Sequence, residues 1–186
     1  MVARQLGFVF KTWGGKRKGA GRPRKGERRV KHVRRPVLKE RFPVHVTWRM
    51  KDHVWNLRAK RCLSVLQKAF LEGQKANFQI VHYSVMGNHV HLLAEATDAR
   101  ALARGMQGLG IRVARKLNKV MERAGSVLND RYHARILRTP TEVKRVRFYL
   151  LNNARHHFGK DAPTVDWCAS QVAVNEPRTW LVRQTC

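Results

Sequence analysis

Residues 77–96 read NFQIVHYSVMGNHVHLLAEA, and this stretch predicts a β-hairpin. Residues 77–86 are rich in β-branched and aromatic residues, and the dipeptide Gly87-Asn88 that follows them suits a type II′ turn. Successive side chains of a strand point to opposite faces, so His89 and His91 share one face. The other face carries the apolar side chains Val90, Leu92, Ala94 and Ala96. We therefore expect two antiparallel strands whose apolar face packs on the core while the opposite face presents two imidazoles.

Two further elements are predicted before the hairpin. Residues 44–50, VHVTWRM, alternate between apolar and polar side chains, as a half-buried strand does. Apolar residues then recur at helical spacing from Trp55 to Phe70, and Gly73 follows as a helix stop. We expect Trp48, Trp55 and Phe148 to pack in the core, although an exposed aromatic on a basic surface can also stack an unpaired base.

The segment after the hairpin predicts two helices and another strand. Thr97 can cap a helix whose apolar side chains line one side as far as Val120. Residues 132–139 have the composition of a short strand, and TPTE at 139–142 is a capping box with proline at the first helical position, opening a helix that should end at Gly159. The order β-α-β-β-α-β, with one further helix, is a split βαβ arrangement. It predicts an α+β fold, a ferredoxin-like sandwich with an antiparallel sheet and an additional C-terminal helix.

The charge of the chain indicates a polyanionic partner. Its 186 residues include 39 Lys and Arg against 12 Asp and Glu, a formal net charge of +27. Nucleic acid is favoured, because neutralising phosphates releases condensed counterions. An anionic membrane surface would require a basic amphipathic helix or a lipid signal, and we find neither. The three cysteines lack disulfide-framework or zinc spacing, which fits a reducing cytoplasm. We expect the protein to stay where its nucleic acid is.

A basic, flexible arm is expected in residues 1–40. Twelve Lys or Arg occur between Lys16 and Lys39 against one acidic residue, a composition that does not fold by itself. The centre, GAGRPRK at 19–25, resembles an AT-hook that reads the minor groove of DNA; a generic basic arm making phosphate contacts is the alternative. The residues predicted to bind DNA are Lys16, Arg17, Lys18, Arg22, Arg24 and Lys25 in the arm, and Arg104, Arg112, Arg115, Arg131 and Arg135 beyond it.

Two pairs of side chains are candidates for chemistry. His89 and His91 stand close enough on one strand face to bind one divalent ion, although two surface histidines are the simpler interpretation. On the last helix, Tyr149 and Asn153 lie one turn apart beside the buried stripe of Val143, Val146, Leu150 and Ala154. A phenol can attack phosphorus and an amide oxygen can bind a hard cation, whereas ordinary helix-edge packing remains the alternative.

These residues resemble the single-tyrosine HUH transposases, and among them the REP-associated tyrosine transposases. The matching stretches are HYSVMGNHVHLLAE, DRYHARIL and FYLLNNARHH, so the resemblance spans roughly residues 43–159. It implies that His89, His91 and Asn153 bind Mg²⁺ or Mn²⁺ and that Tyr149 is the nucleophile. It also implies cleavage and rejoining of single-stranded DNA near hairpins through a 5′-phosphotyrosine. On this interpretation residues 41–160 form the transposase domain and residues 161–186 a tail that packs against it.

Several alternatives remain open from the sequence. A non-catalytic DNA- or RNA-binding protein on the same fold, or a metal-dependent nuclease in which water attacks, would share the basic composition. Tyr83 and Tyr132 are interpreted as packing or phosphate-contacting residues, and His45 and His156 as less favoured metal ligands. The protein could work as a monomer or as a homodimer, with Tyr149 serving its own subunit's metal or a partner's.

Overall fold

A four-stranded antiparallel sheet forms the centre of the protein, and the computed structural model describes residues 36–163 and 165–185. The strands are paired in the order β2-β3-β1-β4. They are β1 (Val44–Arg49), β2 (Phe78–Val85), β3 (His89–Ala96) and β4 (His133–Ile136). The helices are α1 (Lys60–Glu72), α2 (Ala99–Val120), α3 (Pro140–Phe158), a 3-10 turn at Gly159–Asp161 and α4 (Trp180–Arg183). This mixed α/β arrangement confirms the predicted split βαβ fold.

One face of the sheet packs against α1 and α2 and forms the main core. Alternate residues of the strands supply it, including Val46, Trp48, Val90 and Leu92, as the alternation predicts. From α2, Leu102, Met106 and Leu109 face the same core. The apolar face of the hairpin is therefore a core face, as expected.

The opposite face of the sheet is covered as well, and it holds a second, smaller core. Val81 and Leu93 pack there with Val143, Val146 and Leu150 of α3 and with Leu181 and Val182 of α4. A register shift in β2 between Ile80 and His82 turns both Val81 and His82 towards this face. Because α3 covers this face, the two imidazoles of β3 lie beneath a helix rather than on an open surface.

The segment after α3 holds this second face in place. Glu95, a 2% exposed carboxylate on β3, accepts hydrogen bonds from Gln79 Nε2 at 2.7 Å, from Arg178 N at 2.8 Å and from Thr179 Oγ1 at 2.6 Å. These donors satisfy a carboxylate that would otherwise be costly to bury. Residues 165–185 thus pack against the sheet. Within the described residues, no helix is both long enough and apolar enough to cross a membrane.

Several predicted boundaries are corrected by the structure. Asp98, not Thr97, caps α2, because its carboxylate accepts from the backbone N–H groups of Arg100 and Ala101, both at 2.7 Å. Helix α1 begins at Lys60, so Trp55 lies before it in a loop. Strand β4 is shorter than predicted, ending at Ile136.

The turn of the hairpin also differs from the prediction. A type II′ turn requires a positive φ at Gly87, whereas the glycines with positive φ among the described residues are Gly125 and Gly159. The turn backbone is instead held from outside, since Gly87 O accepts from Leu57 N and Asn88 O accepts from Met50 N, both at 2.8 Å. By contrast, the capping box of Thr139 and Glu142 and the end of α3 before Gly159 are confirmed.

Candidate active site

His91 occupies the middle of a polar cluster between the sheet and α3. It is 6% exposed, and its Nδ1 lies 3.1 Å from Thr47 Oγ1 and 3.3 Å from His45 Nε2, both of which can accept a hydrogen bond. Strand register explains the contact, because Thr47 of β1 pairs directly with His91 of β3. On the other side of the ring, Tyr149 Oη lies 3.4 Å from His91 Nε2. The imidazole thus bridges the sheet and the helix.

His89 lies beside His91, and in both rings Nδ1 is engaged in a hydrogen bond while Nε2 is the second nitrogen. The two ring centroids are 4.8 Å apart. His89 Nδ1 donates to Asn88 Oδ1 at 2.8 Å, because that oxygen has no proton to give. With Nδ1 occupied as a donor, the lone pair of Nε2 is directed elsewhere, which is the tautomer found in metal-binding histidines.

Burial keeps these imidazoles neutral. It lowers the pKa of His91 to about 3 and that of His45 to about 4, with the charges of neighbouring histidines and Arg135 adding smaller effects in the same direction. Burial also lowers the pKa of His89, assisted by His157 and Arg49. A neutral imidazole is the form that binds a cation, so the pair needs no deprotonation at physiological pH.

Tyr149 is the tyrosine that reaches the histidine pair. Its ring is half-buried, edge-on to His91 with centroids 5.2 Å apart. Burial raises the pKa of the phenol, so the hydroxyl is protonated at neutral pH and donates to His91 Nε2. The other two tyrosines lie on the far side of the sheet: Tyr83 packs on Phe70 and Tyr132 on Trp48.

Asn153 is the most deeply buried polar residue of α3. Its exposed fraction is 0%, and neither its amide oxygen nor its amide nitrogen has a hydrogen-bond partner among the described residues. The helix contacts the histidine pair on both sides of Asn153, since Tyr149 meets His91 and His157 meets His89 with centroids 5.9 Å apart. A buried amide without a partner costs free energy, which a bound ligand would recover.

The neutral imidazoles of His89 and His91 and the amide oxygen of Asn153 are groups that can bind a divalent cation, but three ligands do not fill its coordination shell. Within residues 36–163 and 165–185, no three His, Cys, Asp or Glu side chains are clustered to hold a metal ion. Two imidazole nitrogens and one orphan amide oxygen would leave the remaining positions of a bound ion for phosphate oxygens or water, as an ion that acts on a substrate requires.

The predicted basic residues divide between the two faces of the protein. Arg135 pairs in register with His45 and therefore shares the face of the site, where it also contacts Glu142 at 2.9 Å. Helix α2, with Arg104, Arg112 and Arg115, packs on the opposite face of the sheet, away from Tyr149. Arg131 is exposed beside Tyr132, just before the start of β4. The predicted arm residues Lys16, Arg17, Lys18, Arg22, Arg24 and Lys25 lie outside the described residues.

Some residues around the site were weighted too low or missed by the sequence interpretation. His45 contacts His91 directly, and Thr47, Arg49 and His157 were not singled out. The alternation of β1 places His45, Thr47 and Arg49 on one face, but only the pairing with β3 shows that they meet the two imidazoles. The expectation that Trp55 and Phe148 pack in the core is wrong, since they are 48% and 70% exposed; Trp48 is buried as predicted.

Comparison with one solved structure supports the architecture. The chain resembles a structure described as the REP-associated tyrosine transposase bound to a REP hairpin, with a TM-score of 0.55 and 11% identity over 80% of this chain and 100% of that one. At such low identity the likeness shows a common fold. A candidate transposase from Deinococcus radiodurans R1 is 20% identical over 64% of this chain and 95% of its own, with a TM-score of 0.41.

The family is shown by the sequence itself. No curated protein matches the chain. The sequence profile of the family described as "Transposase IS200 like" matches residues 38–153, which is more than half of the chain. That range begins just before β1 and ends at Asn153, so it includes His89, His91 and Tyr149. The chain therefore belongs to the IS200-like transposase family.

Proposed function

We propose that the protein is a single-tyrosine strand transferase of the HUH type that cuts and rejoins single-stranded DNA. The observation that supports this most is the 3.4 Å contact between Tyr149 Oη and His91 Nε2 within one chain. It brings a nucleophile to the pair of neutral imidazoles, and the orphan amide of Asn153 lies one helical turn away. Each chain therefore carries all the candidate groups, so Tyr149 is proposed to serve its own subunit.

His89, His91 and Asn153 are the residues that would hold Mg²⁺ or Mn²⁺. When bound there, such an ion would act as a Lewis acid on a non-bridging phosphate oxygen. The chain contributes the orientation of both rings. Thr47 and His45 hold Nδ1 of His91, and Asn88 holds Nδ1 of His89, so both Nε2 atoms are set before a substrate arrives.

Tyr149 would perform the covalent step. Its phenolic oxygen attacks the phosphorus, the bond from phosphorus to the 3′ oxygen breaks, and the phenolic proton is transferred, in net, to that 3′ oxygen. The products are a 5′-phosphotyrosine and a free 3′ hydroxyl. Because a phosphodiester is exchanged for another phosphodiester, a second 3′ hydroxyl can reverse the step without ATP. Positioning of the phenol by the helix supplies the in-line geometry that such an attack requires.

The proposed substrate is single-stranded DNA beside a hairpin. The REP hairpin is bound by the similar solved structure, and its extension to this chain rests on the common fold. The net charge of +27 suits a DNA partner, and we expect the protein to reside with the nucleoid. A DNA- or RNA-binding protein without activity, and a nuclease using water, are the alternatives that the experiment must separate.

The test is covalent capture of DNA. The full-length protein is incubated with Mn²⁺ and oligonucleotides that carry a hairpin, random flanks and a label at either end, followed by denaturing electrophoresis. We expect a protein adduct on the strand that lies 3′ of the cut, because the tyrosine retains the 5′ phosphate. Tyr149→Phe should abolish the adduct while leaving DNA binding intact, since affinity is spread over many basic side chains.

Tyr132→Phe is the matched control, because it removes a phenol that packs on Trp48 on the other face of the sheet. It should form the adduct at the wild-type level. Cleavage that persists in Tyr149→Phe would instead identify a water-dependent nuclease. Binding without any adduct or cleavage in the wild type would identify a non-catalytic nucleic-acid-binding protein.

A further inference from the structure

The residue before the candidate nucleophile is an exposed aromatic. Phe148 is 70% exposed, although it lies in a helix whose neighbouring turns are packed on the sheet. A phenylalanine that is mostly in water contributes little to the core, and its ring is accessible to a ligand. Its position next to Tyr149 makes a ligand of the proposed reaction the first candidate.

Phe148 forms one wall of an open hollow of about 450 Å³ on the outer side of α3. Phe148, Asn152 and Arg155 are spaced four and three residues apart, so they form one row along the helix. Tyr149 and His156 form the adjacent row. Asn152 Nδ2 donates to the carbonyl oxygen of Phe148 at 2.9 Å, which fixes the amide along the floor between the two ends.

The chemistry of this hollow fits one nucleotide. An aromatic face at one end can stack a base, and Arg155, about 10 Å further along the helix, offers a cation for a phosphate. Single-stranded DNA at a cleavage point has lost the stacking of its neighbours, and an aromatic side chain restores that contact. A protein partner is less suited to the surroundings, because the flank is cationic and carries no acidic group among Phe148, Tyr149, Asn152, Arg155 and His156.

We propose that Phe148 stacks the base of the nucleotide whose 5′ phosphate becomes linked to Tyr149. The inference rests on the proposed function, because the covalent bond is what would place that nucleotide beside Phe148. Stacking there would hold the nucleotide during attack and after it, and it would favour bases that stack strongly. Phe148 would therefore contribute to the choice of the cleavage position.

The test is a double-mutant cycle that combines removal of the Phe148 ring with removal of the base. Sequencing of adducts from the random-flank oligonucleotides identifies the cut position for the wild-type protein. Adduct formation at limiting DNA is then measured with an intact or an abasic nucleotide 3′ of the cut, for wild type and for Phe148→Ala. We expect either change alone to slow the reaction about tenfold, and both together to slow it no further. Phe148→Trp should retain the wild-type rate.

Two controls make the result specific. Leu71→Ala removes an apolar side chain that is 59% exposed on α1, on the other side of the sheet, and should leave the rate unchanged. An abasic nucleotide placed five positions from the cut should affect wild type and Phe148→Ala equally.

Independent losses that multiply to about a hundredfold would overturn the stacking, as would a wild-type rate in Phe148→Ala. A change of oligomeric state in Phe148→Ala, measured by sedimentation, would assign the side chain to an interface between copies instead. Failure of the proposed function is distinguishable from these outcomes, because the wild-type protein would then form no adduct with any oligonucleotide.

Discussion

Arg58 holds both carboxylate oxygens of Asp166, with N–O distances of 2.8 and 3.1 Å. Asp166 is 4% exposed, and the same guanidinium donates to Val85 O at 3.0 Å. The guanidinium also lies over the ring of Phe158, 5.2 Å from its centroid. Since Phe158 is the last residue of α3, this one side chain connects the segment after α3, the end of β2 and the helix that carries Tyr149.

Arg58→Ala should destabilise the protein by about 3 kcal/mol, because it leaves a buried carboxylate without its cation. The loss is measured as the free energy of unfolding in urea. Lys116→Ala, which breaks the more exposed pair with Glu72, is the matched control and should cost about 0.5 kcal/mol. Equal effects of the two changes would contradict the assignment of Arg58 as a structural connection.

Gly105→Ala should destabilise the protein by about 2 kcal/mol or more through overpacking. A Cβ at this position of α2 would lie 2.2 Å from Cγ of Phe78, whose ring is fully buried between helix and sheet. Gly108→Ala, one turn along the same helix, would meet the flexible ends of Arg112 at 3.3 Å and of Lys75 at 3.7 Å and should stabilise by up to about 1 kcal/mol. Thermal unfolding of the two variants distinguishes them, and a stable Gly105→Ala protein would refute the close packing of α2 on β2.

Asn153→Leu should have opposite effects on stability and on metal binding. Replacing a fully buried amide that lacks partners should raise the free energy of unfolding of the metal-free protein by about 1 kcal/mol. The same change should weaken Mn²⁺ binding at least tenfold, as measured by calorimetry on the protein alone. Asn152→Leu, on the exposed flank, should leave Mn²⁺ affinity unchanged. Unaltered affinity in Asn153→Leu would remove Asn153 from the proposed ligands.

Acid should destabilise the protein through His82. Burial and the charge of Arg147 lower the pKa of His82 to about 4, against about 6.5 in an unfolded chain. Between those values the unfolded state binds the extra proton, so the free energy of unfolding decreases as the pH falls below about 6.5. We expect a loss of about 2 kcal/mol from His82 between pH 7 and pH 5. Urea unfolding at both pH values, with His82→Asn as the comparison, checks this; an equal loss in the variant would point to other groups.

Deletion of residues 1–39 should weaken DNA binding and flatten its dependence on salt. Twelve basic side chains between Lys16 and Lys39 can neutralise phosphates, and each contact adds to the slope of log affinity against log salt. The measurement is fluorescence anisotropy of labelled DNA over a range of NaCl concentrations. An unchanged slope would mean that the predicted arm makes no phosphate contacts.

The parts of the fold that depend on local sequence were predictable. Alternation in residues 77–96 placed Val90 and Leu92 in the core and His89 and His91 opposite them, because side-chain direction follows from the strand alone. Thr139, Pro140 and Glu142 predicted the start of α3 for the same reason, since a capping box involves only neighbouring residues.

Features that depend on distant contacts were not predictable. Thr47 meets His91 only because β1 and β3 pair in one register, and alternation says nothing about register. The exposure of Phe148 depends on which side of α3 is turned to the sheet, and the helical period alone left it near the apolar stripe. The backbone N–H groups of Arg178 and Thr179, which donate to the buried carboxylate of Glu95, lie more than 80 positions away along the chain.

The contact between Tyr149 and His91 also limits how many 5′ DNA ends one protein chain can hold at a time. All three tyrosines of the chain lie in described segments, and Tyr149 is the one at the histidine pair. Under the proposed chemistry, a chain that has captured one 5′ end has no second phenol in place to capture another. An exchange in which two strands are cut before either is rejoined therefore requires two protein copies, although each copy cuts with its own residues. The number of severed ends held at once, rather than any sharing of active-site residues, would then determine how many copies assemble on the DNA.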